Sequence, residues 1–165
     1  MYFSHISIGG GIIGVETIIS IVSSLKQNLK KNKKNSRKFR FDKFNFAIID
    51  KEPKNIPGGV AYSFQNSQYG YFNNPIRLSP IKFQKWVKAK ENKKKILLYL
   101  SKFGGFSGKA WIEKNKKILL SHNKFFFDEL YLPRVAMNIW MEEKLDKLYQ
   151  DIRFIRKKYK VFLNL

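Results

Sequence analysis

Ser7-Ile8-Gly9-Gly10-Gly11-Ile12-Ile13-Gly14 is the stretch on which the fold turns. Ahead of it, residues 2–8 are apolar and β-prone and alternate imperfectly, as a buried parallel strand does. Behind it, Ile13, Ile18, Ile21, Val22, Leu25 and Leu29 recur at helical spacing, which predicts a helix over 12–29. In Gly9-x-Gly11-x-x-Gly14 each glycine has its own task. The first allows a tight turn, the second lets backbone approach a pyrophosphate, and the third lets helix and strand pack closely. The pyrophosphate would then sit at the helix N-terminus, among unpaired N–H groups and the positive end of the helix dipole.

Phe44-Asn-Phe-Ala-Ile-Ile49 predicts a second short buried strand, ending at Asp50. A carboxylate there can accept hydrogen bonds from an adenosine ribose. Asp50 lies 36 residues beyond Gly14, where about 20 is usual. The excess falls in a basic insertion at about 30–43, which can project from the helix–strand connection without moving either end. Residues 51–80 hold four of the five prolines and read as an irregular loop. Ser79-Pro80 predicts an N-cap and a first helical proline, opening a helix that carries Phe83, Trp86 and Val87 on one side. Residues 96–127 are ambiguous between helix and strand. From Pro133 the pattern is helical again, with Met141, Leu145, Leu148 and Ile152 spaced by four, three and four. Residues 159–165 are strand-like and require a pairing partner.

Composition removes several classes of chemistry. The 165 residues contain no cysteine, so disulfides, thiolate metal sites and cysteine nucleophiles are excluded. Only His5 and His122 are present, too few for a histidine-rich metal site, and no metal is expected. The net charge is +21, but 27 of the 33 basic residues are Lys and six are Arg. Nucleic-acid binders favour Arg for bidentate contacts. Lys, Asn, Ile and Phe also share A/T-rich codons, so a base-composition bias raises all four together. Residues 6–25 have the length of a membrane span, but Gly9-Gly10-Gly11 and the mid-depth Glu16 argue against one. A charge at the bilayer centre costs roughly 3 kcal/mol. No secretory signal precedes them, and a cytoplasmic protein without membrane association is expected.

After Asp50 the order of motifs becomes more specific. Pro57-Gly58-Gly59-Val60-Ala61-Tyr62 is followed by Phe72-Asn73-Asn74-Pro75, then Phe83-Gln-Lys-Trp86, then Pro133-Arg134. Over residues 6–140 this resembles the flavin-dependent FAD/NAD(P)-binding proteins, a group with monooxygenase-like and urate-hydroxylase-like members. Asn138 and Trp140 depart from the resemblance, standing where that group carries Gly and Tyr. The resemblance implies FAD as cofactor, with Gly9, Gly10, Gly11, Ile13 and Gly14 around the pyrophosphate and Asp50 on the ribose. Gly59, Tyr62 and Asn73 would approach the flavin. Phe83 and Trp86 are assigned to core packing instead.

The expected fold is therefore α/β: a single, incomplete, Rossmann-like three-layer FAD/NAD(P)-binding domain spanning 1–165. The expected function is FAD binding as the N-terminal part of an oxidoreductase or monooxygenase of unknown small-molecule substrate. NAD(P)H would act through regions absent here. One GxGxxG and a strand-like end suggest a fragment, a truncated product, or one piece completed by a second chain. The alternative is a non-catalytic basic protein binding RNA or DNA through clusters at 30–40 and 153–160, and a third reading is a decayed remnant. Gly104-Gly-Phe-Ser-Gly108-Lys109 lacks the spacing and Ser/Thr of a P-loop and reads as a turn. The pairs Asp128-Glu129 and Glu142-Glu143 read as solvated charge, since adjacent residues do not share a helical face.

Overall fold

A computed structural model describes residues 4–9, 11–31, 43–51, 56, 70–121, 123–159 and 162–164. The chain divides into two compact units, one of residues 1–59 with 141–165 and the other of residues 60–140.

In the first unit, strand β1 (His5–Ile8) leads into helix α1 (Ile12–Lys31), which returns to strand β2 (Lys43–Ile49). The strands pair in parallel, His5 with Phe46 through Ile8 with Ile49. Strand β3 (Phe162–Asn164) adds to the other side of β2, also in parallel, giving the order β1-β2-β3. This register puts Phe46 and Ile48 on one sheet face, since strand side chains alternate. Against that face pack Ile18, Val22 and Leu29 of α1 and Leu148, Ile152 and Ile155 of the last helix. Lys30 and Lys31 close α1, where cations complement the negative end of its dipole.

The opposite face carries Ile6, Ile8 and Ile49, which are 48%, 88% and 55% exposed. The expected three-layer Rossmann-like domain is therefore corrected. Its local start, strand–glycine turn–helix–parallel strand, is present. Among the described residues the sheet that follows is short, the helices of this unit pack against the Phe46 and Ile48 face, and the described residues are mostly helical. The physical reason lies downstream: residues 76–159 form consecutive helices and add no further strand–helix units among the described residues.

The second unit is built from those helices. A 3-10 turn (Ile76–Leu78) precedes α2 (Ile81–Lys88), α3 (Lys90–Phe103), α4 (Gly105–Leu120) and α5 (Lys124–Asp128). Helix α6 (Val135–Tyr159) gives its first six residues to this unit and the remainder to the first. Helix α2 begins after Pro80, one residue later than the Ser79 cap predicts, and Pro80 supplies no side-chain cap. The Gln84 amide instead donates to the carbonyls of Ser79 (2.7 Å) and Arg77 (2.9 Å). Phe83 is fully buried, its ring meeting Phe72, Trp86 and Trp140 at centroid distances of 5.3–5.8 Å. The ambiguous span 96–127 proves helical, and Gly104 with Gly105 makes the corner between α3 and α4. Gly105 has φ +56, and a Cβ on Gly104 would lie 2.6 Å from the Leu100 carbonyl oxygen. The glycines at the P-loop-like stretch thus serve helix crossing.

Candidate functional site

Gly9 leaves β1 with φ +93, a conformation that favours glycine. Its N–H donates to the Ile49 carbonyl at 2.7 Å, extending the β1–β2 pairing by one step. Because Ile8 and Ile49 are paired, Gly9 and Asp50 leave the sheet side by side at its carboxyl end. Asp50 is half-buried there.

Helix α1 begins at Ile12, and its first closing bond runs from the Val15 N–H to the Gly11 carbonyl at 3.2 Å. The earlier N–H groups of the helix have no intrahelical acceptor, as at every helix start. No acidic residue occupies the first turn, so the positive dipole end is not neutralised from within. A Cβ on Gly11 would meet no atom of the described residues within 4 Å, so among them the space beside Gly11 is open. Gly14 is the reverse case. A Cβ there would lie 2.2 Å from Ser7 Oγ and 2.7 Å from the Gly9 carbonyl oxygen. Helix α1 thus meets the end of β1 at a distance only a glycine permits. Ile13 is exposed, and its carbonyl accepts from the Thr17 hydroxyl at 2.8 Å.

Gly9, Gly11, Gly14, Ile13 and Asp50 are thus gathered at one end of the sheet. Gly10, Gly59 and Tyr62 lie outside the described residues, and Asn73 is an exposed residue of the second unit. Of the basic clusters, Lys30, Lys31, Arg153, Arg156, Lys157 and Lys158 are exposed, while residues 32–40, Lys160 and His122 lie outside the described residues. Among the described residues no group of three His, Asp or Glu could hold a metal ion. No described helix is long and apolar enough to cross a membrane.

Two ion pairs fix α1 against α6 below the turn. Glu16 pairs with Lys144, and Lys26 meets Asp151 at 2.5 Å. Burial pushes the Lys144 ammonium down to about 8 even with Glu16 beside it. Burial alone would raise the Asp151 carboxyl, but hydrogen bonds from Lys147 and Lys26, and their charges, hold it below the ordinary value. Burial, followed by the charge of Asp146, raises Glu142. The sequence carries no signal for these pairings, because their members lie far apart in the chain. Ser7, the residue that limits the approach at Gly14, was signalled only by its place in β1. The chain matches no family model, no curated protein and no solved structure.

Proposed function

We propose that the β1–α1 turn binds the pyrophosphate of FAD, with Asp50 holding the adenosine ribose, in a cytoplasmic flavin-dependent oxidoreductase or monooxygenase. The observation that carries the reading is the combination at one sheet end: a left-handed Gly9, open space over Gly11, an acid-free first turn in α1, and Asp50 beside them. The donor set suits the group. Backbone N–H groups at a helix start and its dipole favour a dianionic pyrophosphate, and a carboxylate is the usual acceptor for ribose hydroxyls. Bound flavin supplies the redox chemistry; these residues bind and orient its adenosine half. Gly11 offers approach, Gly14 sets the helix close to the strand, and Asp50 selects the ribose.

A titration comparing FAD with FMN tests this. FMN lacks both the adenosine and the second phosphate, so FAD is expected to bind and FMN to bind far more weakly. Asp50→Asn is expected to weaken FAD by about tenfold, the scale of one charged hydrogen-bonding partner. FMN binding as tightly as FAD, or an Asp50→Asn variant equal to wild type, would overturn the assignment.

A further inference from the structure

Residues 70–76 run beside residues 130–134 in the second unit. The Phe72 N–H donates to Leu132 (2.8 Å), the Ile76 N–H to Leu130 (3.0 Å), and the Arg134 N–H to Gly70 (2.9 Å). This pairing brings Tyr71 and Tyr131 to one rim. Helix α5 supplies Phe126, held by Asn123, whose side-chain oxygen accepts from the N–H groups of Phe125 (3.0 Å) and Phe126 (3.5 Å). Helix α4 supplies Trp111 as a floor, its indole N–H donating to the Tyr131 carbonyl at 3.1 Å. Together with Lys114 and Glu129 these residues line an open groove of about 510 Å³. Glu129 is engaged by Arg77 at 2.5 Å. Tyr71, Phe126 and Tyr131 are each between 44% and 56% exposed.

Charge decides what such a groove suits. The second unit carries 15 Lys and Arg against four Asp and Glu, a net +11. Lys117 follows Lys114 by three residues on α4, the spacing of neighbours on one helix side. A second copy of this chain would bring another +21 against that surface. A duplex hides its bases, whereas aromatic faces beside lysines match splayed bases joined by phosphates. We propose that the groove formed by Tyr71, Trp111, Lys114, Phe126 and Tyr131 binds single-stranded nucleic acid, its exposed rings stacking on bases while the lysines of α4 follow the phosphates. This groove shares no residue with the β1–α1 turn or with the basic clusters of α1 and α6.

The test is fluorescence anisotropy with a labelled oligothymidylate, over a salt series, for the full chain and its variants. Tyr71→Ala and Phe126→Ala remove exposed rings and leave the core intact. Each is expected to weaken binding by about tenfold with the salt slope unchanged, the scale for one stacked base. Lys114→Ala is expected to lower the salt slope by about one. Lys157→Ala, which removes the same charge from the first unit, serves as the control and is expected to bind the oligonucleotide as wild type does. Absence of binding at low salt, or ring variants that bind as wild type does, would overturn the proposal. Equal affinity for a duplex, or for polyglutamate with loss in the same variants, would also overturn it.

Discussion

Gly14→Ala isolates the contact that joins the glycine turn to its strand. Two opposing terms set the expected size. Replacing a helical glycine by alanine stabilises by about 0.4–1 kcal/mol where the site tolerates a methyl group. Here the methyl carbon would stand 2.2 Å from Ser7 Oγ and 2.7 Å from the Gly9 carbonyl oxygen. Overpacking of that kind costs typically about 1–3 kcal/mol. The hydroxyl can rotate away, but the backbone carbonyl belongs to a turn tied to Ile49 by the Gly9 N–H. The net expectation is a loss of about 1–2 kcal/mol, read as a lower urea midpoint with an unchanged m-value. A Ser7→Ala background removes the nearer contact and leaves the farther one. The double variant is therefore expected to recover part of the loss, with a coupling of about 1 kcal/mol. Gly14→Ala as stable as wild type or more so would refute the close approach of α1 to β1. Full rescue by Ser7→Ala would show that the Gly9 carbonyl does not limit the site.

Four further outcomes are expected. Asp151→Asn should lower stability at neutral pH by about 1–3 kcal/mol, the scale of hydrogen bonds to a charged group. The folded pKa of Asp151 lies below the ordinary carboxylate value, so the unfolded chain binds more protons as pH falls through that range. The stabilisation is present above that value, is lost through the folded pKa, and the corresponding acid-limb slope should be shallower in the variant's urea series. Lys144 gives a slope of the same sign in an alkaline window: its folded pKa of about 8 lies below the ordinary 10.5, so the unfolded chain holds the extra proton between them. Lys144 therefore makes stability rise with pH across that window, and a wild-type minus Lys144→Met difference curve should show the rise. At the α3–α4 corner, Gly105→Ala should cost roughly 1 kcal/mol from its positive φ alone. Gly104→Ala, whose methyl meets the Leu100 carbonyl oxygen at 2.6 Å, should cost more in the same thermal-melt comparison.

The elements that the sequence made legible are those specified locally. Strand β1, helix α1 and strand β2 follow from short apolar runs punctuated by Gly9 and Asp50, and α6 follows from its four-three-four spacing. The helices α3 and α4 were not legible. Ile96-Leu-Leu-Tyr-Leu100 suits either a helix or a strand, and the outcome rests on how Gly104 and Gly108 let α4 cross Leu100. The three-layer expectation failed for a related reason. Motif order along the chain does not specify what covers the second face of a sheet, and here Ile6, Ile8 and Ile49 stay exposed. At the turn, glycine spacing indicated where α1 starts, while Ser7 gave no sign that it sets the clearance. The aromatic groove was invisible in sequence because Tyr71, Trp111 and Tyr131 come together only through the pairing of residues 70–76 with 130–134.

Gly11→Val is the most direct probe of the proposed cofactor site. A Cβ at Gly11 meets no atom of the described residues within 4 Å, so the variant is expected to fold as wild type does. Its side chain would occupy the open space assigned to the pyrophosphate. Purified chain and variant, each incubated with FAD and freed of excess ligand, would be compared by visible absorbance, with far-ultraviolet circular dichroism to verify folding. The expected result is a retained flavin spectrum in wild type that is lost in a folded Gly11→Val. Folded wild type that retains no flavin, or a variant that retains as much as wild type, would contradict dinucleotide binding at the β1–α1 turn.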